Sequence, residues 1–173
     1  MSLDIRFGET SPADGDINPA ELSYQPASLQ KLEAETKQFL EAYIHAAEGL
    51  RTPQIVHQYC ALLWIVDAHG DIHFALEELV DEHTGKTVAI RPKGDFGKIP
   101  GTVKLGHPSL LADSKKEARI GGEIVFNAKT GEWEINNFSG RYGFRDQADP
   151  SHLQEAAQIF KDIGGIVLKP VFR

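Results

Sequence analysis

Residues 59–79, YCALLWIVDAHGDIHFALEEL, restrict the fold of this chain more than any other stretch. Residues 59–67 are almost entirely apolar, which is typical of a central strand covered on both faces. The sequence DAHGD then has the composition of a tight turn, in which Gly70 is able to adopt a positive φ. After the turn, Ile72, Phe74 and Leu76 alternate with more polar residues. The stretch therefore predicts a β-hairpin whose first strand lies inside a sheet.

A second hairpin is predicted over residues 119–137, with NAKTG as its turn. Ile120, Ile124 and Phe126 fall on one face of its first strand, which predicts the face toward the core. Glu123 then projects from the opposite face.

Two helices are predicted to pack on this sheet. Apolar residues at helical spacing indicate one long amphipathic helix between Ser28, a candidate N-cap, and Gly49, a candidate C′ residue. The TPQ sequence that follows is interpreted as a helix breaker. Near the C-terminus, Ser151 and Gln154 indicate a capping box, and Gly164 is the expected end of that helix.

The predicted fold class is α+β, with a mostly antiparallel sheet from two hairpins and a C-terminal strand, packed by a long N-terminal helix and a C-terminal helix. Pro170 places the last strand, IVLKPVF, at a sheet edge or at a strand end. Residues 1–26 are expected to form an irregular segment, docked in part by Leu22 and Tyr24. Residues 27–173 are expected to form a single domain.

Composition excludes several classes of function. The formal net charge is −7, and a general nucleic-acid-binding protein needs a basic face. No apolar run reaches the roughly 20 residues of a membrane span, and the N-terminus lacks the pattern of a secretory signal. Cys60 is the only cysteine, which suits a reducing compartment, and its apolar surroundings indicate a buried small side chain. We expect a cytoplasmic protein that binds neither nucleic acid nor membrane, although export by a specialised secretion system would leave no readable signal.

The irregular region 81–118 reverses this charge locally. It contains one predicted strand, Thr87–Ile90, and many glycines and prolines. Between Lys86 and Lys104 it has one acidic residue, Asp95, against five basic residues: Lys86, Arg91, Lys93, Lys98 and Lys104. A long loop of this kind in a compact domain is usually functional or mobile.

The region 106–143 contains the candidate site. The candidates for acid/base catalysis or substrate positioning are His107, Glu123 and Tyr142. Arginine forks, hydroxyls, amides and aromatic rings are groups that hold small anionic ligands. The candidate ligand-binding residues are therefore Arg119, Asn137, Ser139, Arg141 and Tyr142, with Asn136 beside them.

A structural interpretation of the same residues stays open. Asparagines are common at strand ends, and Gly140 and Gly143 are also explained by turns with positive φ. Tyr142 is equally suited to the core. Arg119 and Glu123 are able to pair with strand neighbours.

No metal or cofactor site is predicted. Asp67, His69, Asp71 and His73 are able to bind metals, but a tight hairpin directs them to different places. The sequence contains no GxGxxG, no GxxxxGK[ST], no GxSxG and no HExxH motif.

The sequences RIGGE and NNFSGRYG, followed by a capped helix and a final strand, resemble a family of uncharacterised bacterial proteins with a GGE…NN.SGRYG-type pattern. The resemblance covers roughly residues 59–172 and implies a bacterial source and a shared fold, without an activity. GHPS, GGEIVF and FSGRYGF are also similar to sequence elements of ADP-ribosyltransferases. That similarity implies that His107 and Tyr142 hold the nicotinamide end of NAD, but the final strand lacks the glutamate of that pattern.

Three functional hypotheses follow. In the first, a small anionic ligand or a partner binds at Arg119, Ser139 and Arg141, bordered by the basic loop. In the second, the protein is a transferase- or hydrolase-type enzyme that uses His107 or Glu123 as acid/base and Tyr142 to position the substrate. In the third, it is a protein-interaction module of effector or immunity type. The oligomeric state is open in all three.

Overall fold

The computed structural model describes residues 2–94, 99–145 and 148–172. It contains a six-stranded sheet and a three-stranded sheet, with helices packed around them. The helices are α1 (Leu3–Phe7), α2 (Pro19–Ser23), α3 (Lys37–His45), α4 (Arg51–Tyr59) and α5 (Pro150–Asp162), and a 3₁₀ helix spans His107–Leu110. The strands are β1 (Gln30–Lys31), β2 (Leu62–Asp67), β3 (Ile72–Leu76), β4 (Glu78–Asp81), β5 (Thr87–Ile90), β6 (Thr102–Leu105), β7 (Ala118–Asn127), β8 (Glu132–Asn136) and β9 (Lys169–Val171).

The large sheet has the order β1-β3-β2-β7-β8-β9 and is antiparallel except for the parallel pair β8–β9. Both predicted hairpins are confirmed: β2 pairs with β3, and β7 pairs with β8. The apolar strand β2 lies inside the sheet between β3 and β7, as its composition predicts. The α+β class with mostly antiparallel sheets is therefore confirmed. The edge position of β9, which contains Pro170, is also confirmed.

The large sheet is covered on both faces. One face carries Trp64, Ile124 and Ile135, which pack against Phe160 of α5 and residues of α3. The other face carries Leu63 and Ile65, which pack with Leu110, Leu111 and Tyr142. Because β7 alternates between these two layers, Ile124 faces the first and Glu123 faces the second.

The predicted long N-terminal helix is wrong. Ser28 does not begin a helix, because its amide and hydroxyl both donate to the buried carboxylate of Glu78, at 2.8 and 2.7 Å. Gln30 then pairs with Phe74 in β1–β3, and the helix α3 begins only at Lys37. The periodicity correctly identified Leu32 and Leu40 as buried, but it failed at Phe39, which is exposed, and it did not predict the backbone before Lys37.

The TPQ sequence does not break a helix. It lies in the first turn of α4, where Pro53 is the third helical residue and where a missing N–H costs no intrahelical bond. Cys60 follows α4 in an extended conformation, and its thiol is half-buried rather than buried.

The basic region folds into a second sheet, which the sequence did not predict. Its order is β5-β4-β6, and the chain passes to it directly from β3 through Glu77. The predicted strand Thr87–Ile90 is confirmed as β5. Asp95 and Lys98, which contribute to the predicted charge of this region, lie outside the described residues.

The two ends of the chain differ in detail from expectation. The α5 helix exists and buries the predicted Leu153 and Phe160, but Asp149, not Ser151, caps it by accepting from the Ser151 amide at 2.8 Å.

Residues 1–26 contain α1 and α2, so they are less irregular than predicted, and Phe7 lies in the main core. Leu22 is exposed, whereas Tyr24 packs on the small sheet. None of the described helices is long and apolar enough to cross a membrane.

Candidate functional site

A cleft of about 550 Å³ is lined by residues of both sheets, of α2 and of the segment 138–141. This volume lies in the range of small-molecule sites. We term it the charged cleft because its lining includes Glu21, Glu77, Arg91, Lys93, Lys104, His107, Glu123 and Arg141. Less polar parts of the lining come from Asn18, Ala61, Leu63, Pro92, Gly94, Gly106, Phe138 and Gly140.

Glu123 and Lys93 form a loose ion pair in the charged cleft. The Oε2 atom of Glu123 lies 4.0 Å from Nζ of Lys93, and both side chains are half-buried. Burial raises the pKa of the Glu123 carboxyl above its ordinary value, and burial lowers the pKa of the Lys93 amine. The Lys93 amide donates to the carbonyl of Tyr59 at 2.7 Å, which anchors the backbone beneath this side chain. The pair thus combines an acid and an amine whose proton affinities are shifted toward each other.

Glu77 forms a second, tighter ion-pair group at the point where the chain changes sheets. Its Oε2 lies 3.3 Å from Nη1 of Arg91, and its Oε1 lies 3.5 Å from Nζ of Lys104. The Arg91 amide also donates to the Glu77 carbonyl at 2.7 Å. One carboxylate therefore holds two cations of the basic region on the wall of the charged cleft.

His107 lies at the start of the 3₁₀ helix and is almost fully buried. Its Nε2 lies 2.8 Å from the carbonyl oxygen of Gly122, and because that oxygen only accepts, Nε2 carries the proton. Burial lowers the pKa of His107 to about 4, so the ring is neutral at pH 7. His107 thus lines the charged cleft as an uncharged side chain that is hydrogen-bonded to the strand β7.

Glu21 is acidic but is committed to the backbone. Its two carboxylate oxygens accept from the amides of Gly106, at 2.9 Å, and Asn18, at 3.2 Å. A Cβ on Gly106 would lie 2.7 Å from Glu21 Oε1, so the glycine permits this contact. Glu21 therefore joins α2 to the 3₁₀ helix.

Arg141 lines the charged cleft with a half-buried side chain. Its Nη1 donates to the carbonyl of Asp14, which is the one hydrogen bond of this guanidinium within the described part of the chain. Phe138 lies nearby on the lining, with its ring stacked at 6.2 Å on the exposed Phe144.

The segment 136–143 forms a tight turn that is fixed by its own hydrogen bonds. Asn137 Nδ2 donates to the carbonyl of Gly143 at 3.0 Å, and Ser139 Oγ accepts from the Tyr142 amide at 3.1 Å. A Cβ on Gly143 would lie 1.7 Å from the Asn137 carbonyl oxygen. Asn136 Oδ1 accepts from the amides of Glu123 and Phe138. The side chains of Asn136, Asn137 and Ser139 thus build the turn.

Tyr142 is 1% exposed and belongs to the second core layer. Its hydroxyl donates to the carbonyl of Lys116 at 2.7 Å, and the Arg145 guanidinium lies 5.3 Å from its ring centre. Burial raises the pKa of this phenol above its ordinary value. Tyr142 is not part of the lining of the charged cleft.

Arg119 lies in a separate crevice of about 10 Å³. Its guanidinium donates to the carbonyls of Ala68 and Gly8, and its Nη1 lies 2.6 Å from Asp4 Oδ1. Arg119 thus ties α1 to the end of the β2–β3 hairpin.

The structure brings three of the sequence candidates together, His107, Glu123 and Arg141, with the basic Arg91, Lys93 and Lys104 beside them. Arg119 and Tyr142 lie outside the charged cleft. Sequence reasoning missed Glu77 and Phe138. The one signal in the sequence for Glu77 was the alternation of residues 72–77, in which Glu77 falls on the more polar face.

The DAHGD turn is organised by Asp67. Its Oδ1 accepts from the amides of His69 and Asp71, and its Oδ2 lies 3.0 Å from His73 Nε2. Within residues 2–94, 99–145 and 148–172, no group of three or more His, Cys, Asp or Glu side chains is arranged to hold a metal ion.

The fold and the cleft define the chain as an α+β protein with mostly antiparallel sheets and a charged cleft. No protein-family model matches the chain, and neither a curated protein nor a solved structure is significantly similar to it. The resemblances of RIGGE, NNFSGRYG and GHPS to known families therefore stay predictions.

Proposed function

We propose that the charged cleft binds a small anionic ligand with a carboxylate or phosphate group. The observation that supports this is the convergence of four cationic side chains, Arg91, Lys93, Lys104 and Arg141, on one cleft. A chain with a net charge of −7 thereby presents a cleft in which cations outnumber carboxylates. Such a local excess of positive charge attracts anions.

The three carboxylates on the lining offset only part of the charge of the four cations. Glu21 is committed to two backbone amides. Glu77 already holds two cations at 3.3 and 3.5 Å, and Glu123 stands 4.0 Å from Lys93. An incoming carboxylate or phosphate would contact the Arg141 guanidinium, whose fork is suited to oxyanions.

The test is a ¹H–¹⁵N NMR titration of the full chain with pyruvate and, separately, with inorganic phosphate. We expect chemical-shift changes at residues 91–94, 104–107 and 138–141. Arg141→Ala is expected to weaken binding by about 10- to 150-fold, because a hydrogen bond to a charged group contributes about 1.5–3 kcal/mol. Comparing the two anions distinguishes a carboxylate site from a phosphate site.

Arg119→Ala is the matched control, since Arg119 is also an arginine with several hydrogen bonds but lies outside the charged cleft. It should lower stability without changing anion affinity. Absence of binding by both anions, or a loss of affinity in the Arg119 variant alone, would contradict the proposal. A cytoplasmic location is part of this proposal, and the protein-interaction hypothesis stays a prediction.

A further inference from the structure

The Lys93–Glu123 pair is looser than the pairs Lys31–Asp71 and Lys169–Glu132 and about as loose as Lys37–Glu41, whose distance is 3.9 Å. The Nζ–O distance is 4.0 Å, against 2.7 Å in Lys31–Asp71 and 2.9 Å in Lys169–Glu132. Those two pairs have the geometry of charge-assisted hydrogen bonds. In the charged cleft, the amine and the acid instead face each other across a gap.

We propose that Lys93 is a nucleophilic amine that forms an imine with the carbonyl group of an anionic ligand, the simplest class being a 2-oxo acid. This inference rests on the proposed anion binding and names its ligand class. The arginines of the cleft, Arg91 and Arg141, would hold the carboxylate. Lys93 would then meet the adjacent carbonyl carbon.

Burial of Lys93 increases the fraction of the neutral amine, which is the nucleophilic form. Its side chain is 37% exposed, and burial lowers the pKa of the amine. Two carboxylates, Glu123 and Glu134, have the opposite effect and raise the pKa of this amine. Burial and the neighbouring Glu77 in turn raise the pKa of Glu123 and so reduce its ability to keep Lys93 charged.

The reaction balances with these two groups and water. The Lys93 nitrogen forms a bond to the carbonyl carbon while the carbonyl π electrons move to oxygen, and a proton then passes from this nitrogen to the oxygen to give a carbinolamine. Glu123, in its acid form, then donates a proton to the hydroxyl group, which leaves as water. The nitrogen returns its remaining proton to the Glu123 carboxylate, and no oxidant or reductant is needed.

Lys104 provides the internal comparison. It lines the same cleft, but its side chain is 54% exposed and its Nζ lies 3.5 Å from Glu77, a carboxylate that also holds Arg91. A lysine in that position serves as a fixed cation. The two lysines therefore differ in environment while sharing access to one ligand.

The experiment uses borohydride trapping on the full chain. The protein is incubated with pyruvate, sodium borohydride reduces any imine to a stable secondary amine, and peptide mass spectrometry locates the adduct. We expect the adduct on Lys93 in about tenfold excess over Lys104, which corresponds to about 1.4 kcal/mol in activation free energy. Lys93→Arg should abolish that adduct while keeping the cationic charge, Lys104→Arg should retain it, and Glu123→Gln should lower its yield.

Absence of the adduct, or equal labelling of Lys93, Lys104 and the surface Lys129, would overturn the inference. The NMR titration with pyruvate and phosphate separates this failure from failure of the proposed function. If pyruvate binds at the charged cleft but is not trapped on Lys93, only the imine inference is wrong. If neither anion binds there, the proposed function is wrong as well.

Discussion

The carboxylate of Glu78 accepts hydrogen bonds from both the amide and the hydroxyl of Ser28, 50 positions earlier in the chain. The Ala27 amide and the Thr87 hydroxyl donate to the same carboxylate, which is 2% exposed. Glu78 thus joins the segment before β1 to the small sheet. This contact also explains why Ser28 does not begin a helix.

Glu78→Gln is expected to lower the free energy of unfolding by about 2–3 kcal/mol, because a neutral amide replaces a charged acceptor of several donors and adds a competing N–H group. Glu82→Gln, at an exposed glutamate in the turn after β4, should change this free energy by less than about 0.5 kcal/mol. Urea denaturation followed by circular dichroism measures both. Equal stability of the Glu78 variant and the wild type would show that the network does not stabilise the fold.

Acid is expected to destabilise the fold through the same carboxyl. Its hydrogen bonds lower the pKa of Glu78 in the folded chain below the ordinary 4.5. The unfolded chain therefore binds a proton first as the pH falls, so this contribution is complete above pH 4.5 and is lost as the pH drops through the folded pKa. Unfolding curves at several pH values should show that, below pH 4.5, the free energy of unfolding falls more steeply for the wild type than for Glu78→Gln.

His107 predicts a second pH dependence, in a higher range. Its pKa is about 4 in the folded protein, against an ordinary 6.5. The unfolded chain binds a proton between these values, so stability should fall as the pH decreases from 6.5 to 4, by about 3 kcal/mol in total. Burial also lowers the pKa of His57, which acts in the same direction.

The variants His107→Gln and His57→Gln separate the two contributions. Each should remove part of the decrease in stability toward low pH, and His107→Gln the larger part. Histidine ¹⁵N spectra at pH 7 should show the proton of His107 on Nε2. A His107 ring that is charged at pH 6 would contradict the lowering of its pKa by burial.

The glycines of the 122–143 region separate into two kinds. A Cβ on Gly122 would lie 1.8 Å from the Asn136 carbonyl oxygen, whereas a Cβ on Gly140 would meet no atom within 4 Å. We expect Gly122→Ala to lower the free energy of unfolding by at least about 3 kcal/mol and Gly140→Ala by less than about 0.5 kcal/mol. Thermal unfolding of both variants tests this, and a stable Gly122 variant would disprove the close approach.

Tyr142→Phe separates a core role from a catalytic role. Loss of the hydroxyl leaves the buried Lys116 carbonyl without this partner, so the free energy of unfolding should fall by about 1–2 kcal/mol. Tyr24→Phe, which loses a more exposed bond to the His83 carbonyl, should have a smaller effect. Anion affinity should be unchanged in both, and a large loss of affinity without loss of stability would instead support substrate positioning by Tyr142.

The sequence determined the elements whose pattern is local. The apolar run of β2, the alternation of β3 and the turn residues between them specified the first hairpin, and the same signals specified β7–β8. The buried face of α5 followed from the spacing of Leu153 and Phe160. Such patterns are readable because each depends on residues a few positions apart.

Only the tertiary structure decided the rest. Whether residues 28–36 formed a helix depended on Glu78, 50 positions away from Ser28. Arg119 and Arg141 look equivalent in the sequence, but contacts with Asp4 and Gly8 draw one toward α1, while the other lines the charged cleft. The Lys93–Glu123 pair joins the segment after β5 to the strand β7, 30 residues further along the chain. A site assembled from such distant segments depends on packing and burial, which local periodicity does not encode.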